Sequence, residues 1–413
     1  METPFRLLLV FAAGALRAEP PVLPPNYPAA QYDEAKVPRY SLPDPLVLLD
    51  GTKVTDVKTW REKRRPEILR LFATDVYGRT MVGRPDGMTW ATIATEPQAL
   101  DGAAVRRDVT IYFVGKTDGP KMDLRVTLPA RTAKPVPVFL MAGGGGPPGP
   151  FGGRGSAWEE KTSRTLIDRG YGLVTCDLAM VEADHRDGYA KSVRAFFAAP
   201  GQKEPGPDEW GAIGAWAWAL SRAMDYLVTA PDVDAGKVCV IGVSRYGKVA
   251  MWAGAQDERF AIVFSCVSGC GGATIVRRQF GETIASITNF APYWFDRNFK
   301  SYAGRVNDLP VDWHLLIAAV APRPIYLSTA ERDYWNDQRG QFIAARNAEP
   351  VYALFGKRGL GVQEMPPVDI PVGDTIGFHL RQGSHGLNDY DWRQFLDFAD
   401  RHFGRAPAPG NSN

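Results

Sequence analysis

Hydrophobic positions along this chain change their period as the chain proceeds. Residues 57–77 carry a helical pattern that Pro66 divides into two pieces. The proline suits the first turn of the second piece, and Leu69, Phe72 and Val76 are expected on its inner face. Residues 89–95, 104–114 and 122–128 then alternate apolar and polar side chains, which predicts an antiparallel start to a sheet. From Pro135 onward the pattern changes to short, almost wholly apolar runs at 136–142, 172–178, 237–243, 261–265, 325–328 and 377–381. Helical stretches are interleaved at 158–169, 208–228 and 390–403, the second with Asp208 as its expected N-cap and a stripe of Ile213, Trp216, Leu220, Met224 and Leu227. Strands that are apolar on both sides need cover on both faces. The expected fold is therefore α/β, a three-layer α/β/α sandwich around a mostly parallel central sheet.

The stretch 237–255, KVCVIGVSRYGKVAMWAGA, organises the rest. Val238, Val240 and Ile241 make a buried strand, Gly242 and Gly247 let the backbone crowd a turn, and helix-forming sequence resumes at Ala250. Ser244 stands at the turn. This is close to the nucleophile elbow G-x-S-x-G of α/β-hydrolases, with Tyr246 in place of the second glycine and Gly247 one residue later. The competing reading is an ordinary strand–helix turn with a serine N-cap. A helix starting here would favour negative charge beside Ser244, as a tetrahedral oxyanion requires. Arg245 and Lys248 bring two cations to the same place.

Composition narrows the field. The 413 residues are 45% hydrophobic and 23% charged, enough for one large core, and 48 basic against 46 acidic residues leave a net charge of only +2. No field of that size points to nucleic acid or to an acidic membrane. Arg6, the apolar run 7–16 and the small residues Ala13, Ala15 and Ala18 read as a secretory signal over 1–18, which predicts a secreted or periplasmic protein. After it come an extended arm over 19–48, rich in proline and tyrosine and expected to carry little chemistry, a catalytic domain over 49–404 and a short tail over 405–413. The eleven tryptophans suit a carbohydrate or aromatic ligand and also a plain large core. Four cysteines are too few for a disulfide scaffold and lack paired zinc spacing, so buried free thiols are expected, with a Cys266–Cys270 bridge the alternative. The glycine run 143–146 follows a strand but has neither GKS/GKT nor GxGxxG leading into a helix. It is expected to border an active site rather than cradle a phosphate.

A serine nucleophile needs a base and an acid that orients it, in the chain order Ser, acid, His in this fold. Four histidines follow Ser244. His314 precedes the best acid candidates, His379 lies within a strand-like run and His402 within the closing helix, whereas His385 sits on a loop just beyond the last strand. His385 is the expected base. The loop after 325–328 reads TAERDYWND and offers Asp333 as the leading acid, with Glu331 and Asp337 as rivals and Trp335 as a wall for a sugar or aromatic group.

These residues also carry a family resemblance. The run GVSRYGKVAMWAGAQDERFA, followed by SGCGG, RRQFGET, STAERDYWND and GSHG, resembles the glucuronoyl esterases of carbohydrate esterase family fifteen, in particular their bacterial branch. The likeness covers most of the chain after Pro38. It implies an α/β-hydrolase that uses no metal or other cofactor and cleaves esters joining 4-O-methyl-D-glucuronic acid on glucuronoxylan to lignin alcohols. It also implies Ser244 as nucleophile, His385 as base, Arg245 as an oxyanion-hole residue, and Lys248, Glu282 and Trp335 as contacts to the uronate. Two departures stand out. Fungal members place the acid where Val267 stands here, while some bacterial members place one after the later strand, matching Asp333. Fungal members also bridge cysteines beside nucleophile and base, where this chain has Val243 and Ser384.

The expected activity is thus a two-step serine ester hydrolysis by a monomer, with lignin–carbohydrate esters as partners and neither nucleic acid nor membrane. The alternatives are another carbohydrate esterase, such as an acetyl-xylan esterase, and a non-catalytic glycan-binding protein.

Overall fold

The computed structural model describes residues 28–146 and 153–405. The signal-like segment, part of the glycine-rich loop and nearly all of the tail lie outside them.

Ten strands form one sheet: β1 (Thr89–Ala99), β2 (Ala104–Tyr112), β3 (Lys121–Pro129), β4 (Val136–Gly144), β5 (Gly172–Cys176), β6 (Val233–Val243), β7 (Ile262–Cys266), β8 (Ile325–Ala330), β9 (Val372–Gly373) and β10 (Ile376–Arg381). Their order is β1-β2-β3-β5-β4-β6-β7-β8-β10-β9. The first three strands run antiparallel, as their alternation predicts, and β3 joins β5 antiparallel. From β5 through β10 every neighbouring pair is parallel, and β9 closes the far edge antiparallel.

Burial on both faces can be followed residue by residue. In β4, Val138 and Leu140 enter one hydrophobic cluster while Phe139 and Met141 enter the other; in β6, Val238 and Val240 part from Cys239 and Ile241 in the same way. The larger cluster packs the helices Ala212–Leu227, Arg245–Gln256 and Gln338–Leu354, and the smaller one Ala157–Asp168 and Asp389–His402. This is the α/β-hydrolase arrangement of three layers.

Local expectations needed adjustment in four places. The long helix starts at Ala212 with Gly211 as its N-cap, because Asp208 is drawn into an ion pair with Arg79. At Pro66 the helix does not break: a π-helical stretch, Trp60–Arg64, runs directly into Arg65–Asp75 with the proline in its first turn. Phe72 and Val76 are fully buried there, but Leu69 only partly, and Ile68 takes the inner position instead. The helix Gln338–Leu354 and the two-residue β9 have no counterpart among the sequence expectations; Pro350 inside the helix masks its pattern. All four cysteines are free and buried, so Cys266 and Cys270 form no bridge.

The arm does more than cover a surface. Gln31 O accepts from Gly281 N at 2.9 Å and Glu34 Oε1 accepts from Arg278 Nη2 at 2.6 Å, bracing the segment that carries Glu282.

Candidate active site

Parallel strands β6, β8 and β10 all end on one edge of the sheet. Ser244 follows the last residue of β6, Asp333 lies three residues beyond β8, and His385 lies four beyond β10. Ligand sites in open α/β sheets form at this carboxyl edge.

Ser244 has φ 59° and ψ −127° and makes no side-chain cap to its helix, so the N-cap reading fails and the strained elbow stands. The turn is held by Ser244 N donating to Cys266 O at 2.9 Å and by Gly247 N donating to Ser244 O at 2.9 Å. Gly242 is required by contact, since a Cβ there would lie 1.9 Å from Tyr246 O. The irregular second half of the motif also has a physical explanation. Gly247 takes the close approach, with a Cβ there reaching within 2.9 Å of Ser268 Cβ, and the ring of Tyr246 occupies space left open by Gly143, where a Cβ would stand 2.8 Å from it. The lost elbow glycine is compensated on the facing strand. Burial pushes the Tyr246 phenol above its ordinary range.

His385 is exposed on 44% of its side chain, whereas Asp333 is buried at 4%. His385 Nδ1 lies 2.8 Å from Asp333 Oδ2. An ionised carboxylate only accepts, so Nδ1 carries the proton and Nε2 is left with a free lone pair, the form a general base needs. Asn336, which the sequence reading missed, donates Nδ2 to both oxygens of Asp333 at 2.9 and 2.8 Å and stands 3.0 Å from His385 Nδ1. It lies in the same loop as Asp333, three residues on.

The rival acids are engaged elsewhere. Glu331 Oε1 accepts from Gly383 N at 3.2 Å. Asp337 Oδ2 accepts from Arg278 Nε at 2.8 Å and its Oδ1 from Gly340 N at 2.9 Å. Burial raises the Asp337 carboxyl and Arg278 opposes that rise. Val267 is buried with φ 43°, so the fungal acid position holds an apolar side chain. The other histidines that follow Ser244 are also spent: His314 Nε2 donates to Pro43 O, His379 bridges Tyr326 and Asp391 inside the core, and His402 Nε2 donates to Asp374 O.

Arg245 opens the helix after Ser244. Its Nε lies 2.6 Å from Asp184 Oδ2 and its guanidinium lies over the Tyr246 ring, 4.9 Å from the centroid. The other oxygen of Asp184 accepts from Tyr293 OH and Trp294 Nε1, both at 2.7 Å. Nothing in the sequence pattern singles out Asp184.

Lys248 lies one turn further on and is only 3% exposed. Its ammonium donates to Ser268 O at 2.6 Å, Cys270 O at 2.5 Å and Glu282 Oε2 at 3.2 Å, using all three N–H groups on the protein. Trp335 Nε1 donates to Glu282 Oε1 at 3.2 Å, and the indole is half-buried. The two halves of the site meet at Gly269 (φ 54°), where a Cβ would fall 2.1 Å from Asn336 Oδ1 and 2.8 Å from Glu282 Oε2. Contacts thus join five of the seven side chains singled out from the sequence, His385 with Asp333 on one side of Gly269 and Lys248 with Glu282 and Trp335 on the other, while Ser244 and Arg245 follow β6 at the same sheet edge.

Comparison with known proteins decides the family. Residues 115–356, more than half of the chain, match the family model described as glucuronyl esterase, fungi. The chain belongs to the glucuronoyl esterase family. This esterase is 41% identical over 400 residues to carbohydrate esterase MZ0003 from an unknown prokaryotic organism, covering 90% of this chain and 91% of the relative. It is 28% identical to the 4-O-methyl-glucuronoyl methylesterase of Phanerochaete carnosa, over 76% of this chain and 72% of that one. Among solved structures, the glucuronoyl esterase from Solibacter usitatus superposes with a TM-score of 0.84 at 45% identity, covering 90% of this chain and all of the other. The catalytic domain from Hypocrea jecorina, at 22% identity and a TM-score of 0.65, shares the fold. The glucuronoyl esterase described here is a carboxylic ester hydrolase on an α/β-hydrolase scaffold.

Proposed function

We propose that this enzyme cleaves 4-O-methyl-D-glucuronoyl esters that join glucuronoxylan to lignin alcohols, through an acyl-enzyme on Ser244. The observation that carries the mechanism is the pairing of His385 Nδ1 with the buried Asp333 at 2.8 Å, on the same sheet edge as the strained Ser244 elbow.

In this reading His385 Nε2 takes the proton of Ser244 as Oγ attacks the uronoyl carbonyl. The same nitrogen returns it to the departing alcohol, and water then releases the acid by the reverse sequence. Asp333 holds the imidazole in the working tautomer and stabilises its charged form. Arg245, with the amides at the helix start, faces the oxyanion. The substrate's carboxyl is esterified and neutral, so recognition rests on the sugar's hydroxyls. Glu282 and the half-buried Trp335 supply an acceptor and an apolar wall for them, and Lys248, with its donors engaged, acts in binding by fixing Glu282. The names of the relatives support the uronate ester as substrate.

Hydrolysis of benzyl 4-O-methyl-glucuronate and of acetylated xylan, by wild type and S244A, tests the reading. Loss of the first activity in S244A supports it; preference for acetylated xylan would assign an acetyl esterase instead, and no turnover of either ester with intact glycan binding would assign a binding protein. We further propose export directed by residues 1–18, with the mature chain starting near Glu19, and a monomeric working state. Terminal sequencing of the exported protein and light scattering check these.

A further inference from the structure

His385 meets Asp333 and Asn336 from an exposed loop. Its side chain is 44% exposed, and glycines with φ 98° and 129° (Gly383 and Gly386) flank it two residues before and one after. A loop with that much backbone freedom would lose catalytic geometry unless something fixed it. Cysteine chemistry does not: Val243 and Ser384 stand beside nucleophile and base, and every cysteine is free and buried elsewhere.

We infer that Arg381 is the positioning residue for His385, clamping the backbone on both sides of it through three carbonyls. Arg381, the last residue of β10, is 3% exposed. Its Nη2 donates to Ser384 O at 3.1 Å and to Gly386 O at 2.6 Å, directly before and after the histidine, and its Nη1 donates to Gln382 O at 2.8 Å. The guanidinium is itself aimed by Asp391, whose Oδ2 accepts from Arg381 Nε at 2.7 Å. Asp391 is tied down in turn: its Oδ1 lies 2.9 Å from Nε2 of the fully buried His379, and its Oδ2 also accepts from Asn388 N at 2.9 Å, where the chain leaves the loop. The planar fork of an arginine can span three carbonyls from one fixed point, whereas a lysine ammonium is a point donor. A rigid strand end thus dictates where an exposed imidazole stands. The other face of the loop is held less tightly, by Glu331 Oε1 on Gly383 N at 3.2 Å and by Gly383 O accepting from Arg332 N at 3.0 Å.

The inference rests on His385 being the base, so the experiment includes H385A as a separate arm. R381K and R381M are compared with wild type on benzyl glucuronate, with circular dichroism and thermal unfolding as the check on folding. The low-field proton resonance of His385 Nδ1–H reports on its bond to Asp333. The expected result for folded R381K is a kcat lower by about 10²-fold, with KM within about two-fold because Glu282 and Trp335 are untouched, and a broadened or absent low-field resonance. Should R381M fail to fold, R381K keeps a cation opposite Asp391 and carries the test. Either folded variant with wild-type kcat and a sharp low-field resonance would overturn the clamp. Full activity in H385A would instead remove His385 as the base; the low-field resonance of the Arg381 variants, which reads the His385–Asp333 bond and not turnover, would still decide the clamp.

Discussion

Asp333 and His385 meet at 2.8 Å across two strand ends, the carboxylate 4% exposed and the imidazole 44% exposed. The asymmetry has a chemical meaning. A buried acceptor supported by Asn336 cannot turn away, while the ring it holds keeps Nε2 open to solvent and substrate.

Replacing Asp333 by Asn keeps the shape but offers a donor where only an acceptor selects the working tautomer. We expect kcat of D333N to fall by about 10³- to 10⁴-fold with KM little changed. E331Q replaces a carboxylate that accepts from Gly383 N and pairs with the exposed Arg332 at 3.8 Å, and it should stay within about three-fold of wild type because one modest hydrogen bond and one surface ion pair are weak. Steady-state kinetics of both variants decide between the two acids, and a larger loss in E331Q would reverse the assignment.

Arg245 is aimed by Asp184, with Tyr293 and Trp294 filling the other carboxylate oxygen. Removing the guanidinium in R245A should lower kcat by about 10²- to 10³-fold, the usual effect of losing one oxyanion donor. D184N should show a smaller fall in kcat, since the guanidinium remains but loses its ionic anchor. Equal kcat in wild type and R245A would exclude the oxyanion role.

Gly242 admits no side chain, because a Cβ would lie 1.9 Å from the carbonyl oxygen of Tyr246, and backbone cannot yield as a side-chain tip can. G242A should open the elbow, abolish labelling of Ser244 by a fluorophosphonate and lower stability by about 1 to 3 kcal/mol through overpacking. Labelling at the wild-type rate would contradict this.

His314 is fully buried, and its Nε2 donates to Pro43 O of the N-terminal arm at 2.7 Å. Burial lowers its pKa from 6.5 to about 4, with the bond to Pro43 opposing that shift. Below pH 6.5 the unfolded chain binds a proton that the folded one refuses, so stability present above that pH is lost as pH falls towards 4. The loss amounts to about 3 kcal/mol at most. H314Q, which can still donate to the arm, should flatten the slope of unfolding free energy between pH 6.5 and 4 in denaturant titrations. An unchanged slope would assign the acid sensitivity to other groups.

Much of the fold was legible because its cause is local. Period-two alternation placed β1 to β3, and apolar runs too short for helices placed β4 to β8 and β10, since a strand buried on both faces needs no polar positions. The helix Gln338–Leu354 escaped because Pro350 and scattered polar residues blur its stripe. Asp208 was misread as a cap because its partner, Arg79, is distant in sequence.

The site divides along the same line. From sequence alone came the serine at a glycine-flanked turn, the histidine left over once strand and helix positions were removed, and a short loop holding three carboxylates, because each depends on residue type and chain order. Tertiary structure alone chose Asp333 among those carboxylates, found Asp184 and Asn336, and turned Lys248 towards Glu282. Apart from Asn336 and Asp333, which stand three residues apart, these are contacts between residues tens of positions or more apart, and the direction of a side chain depends on what the fold has placed opposite it. Pattern along a chain encodes which face is buried; it does not encode which two charges will share that burial.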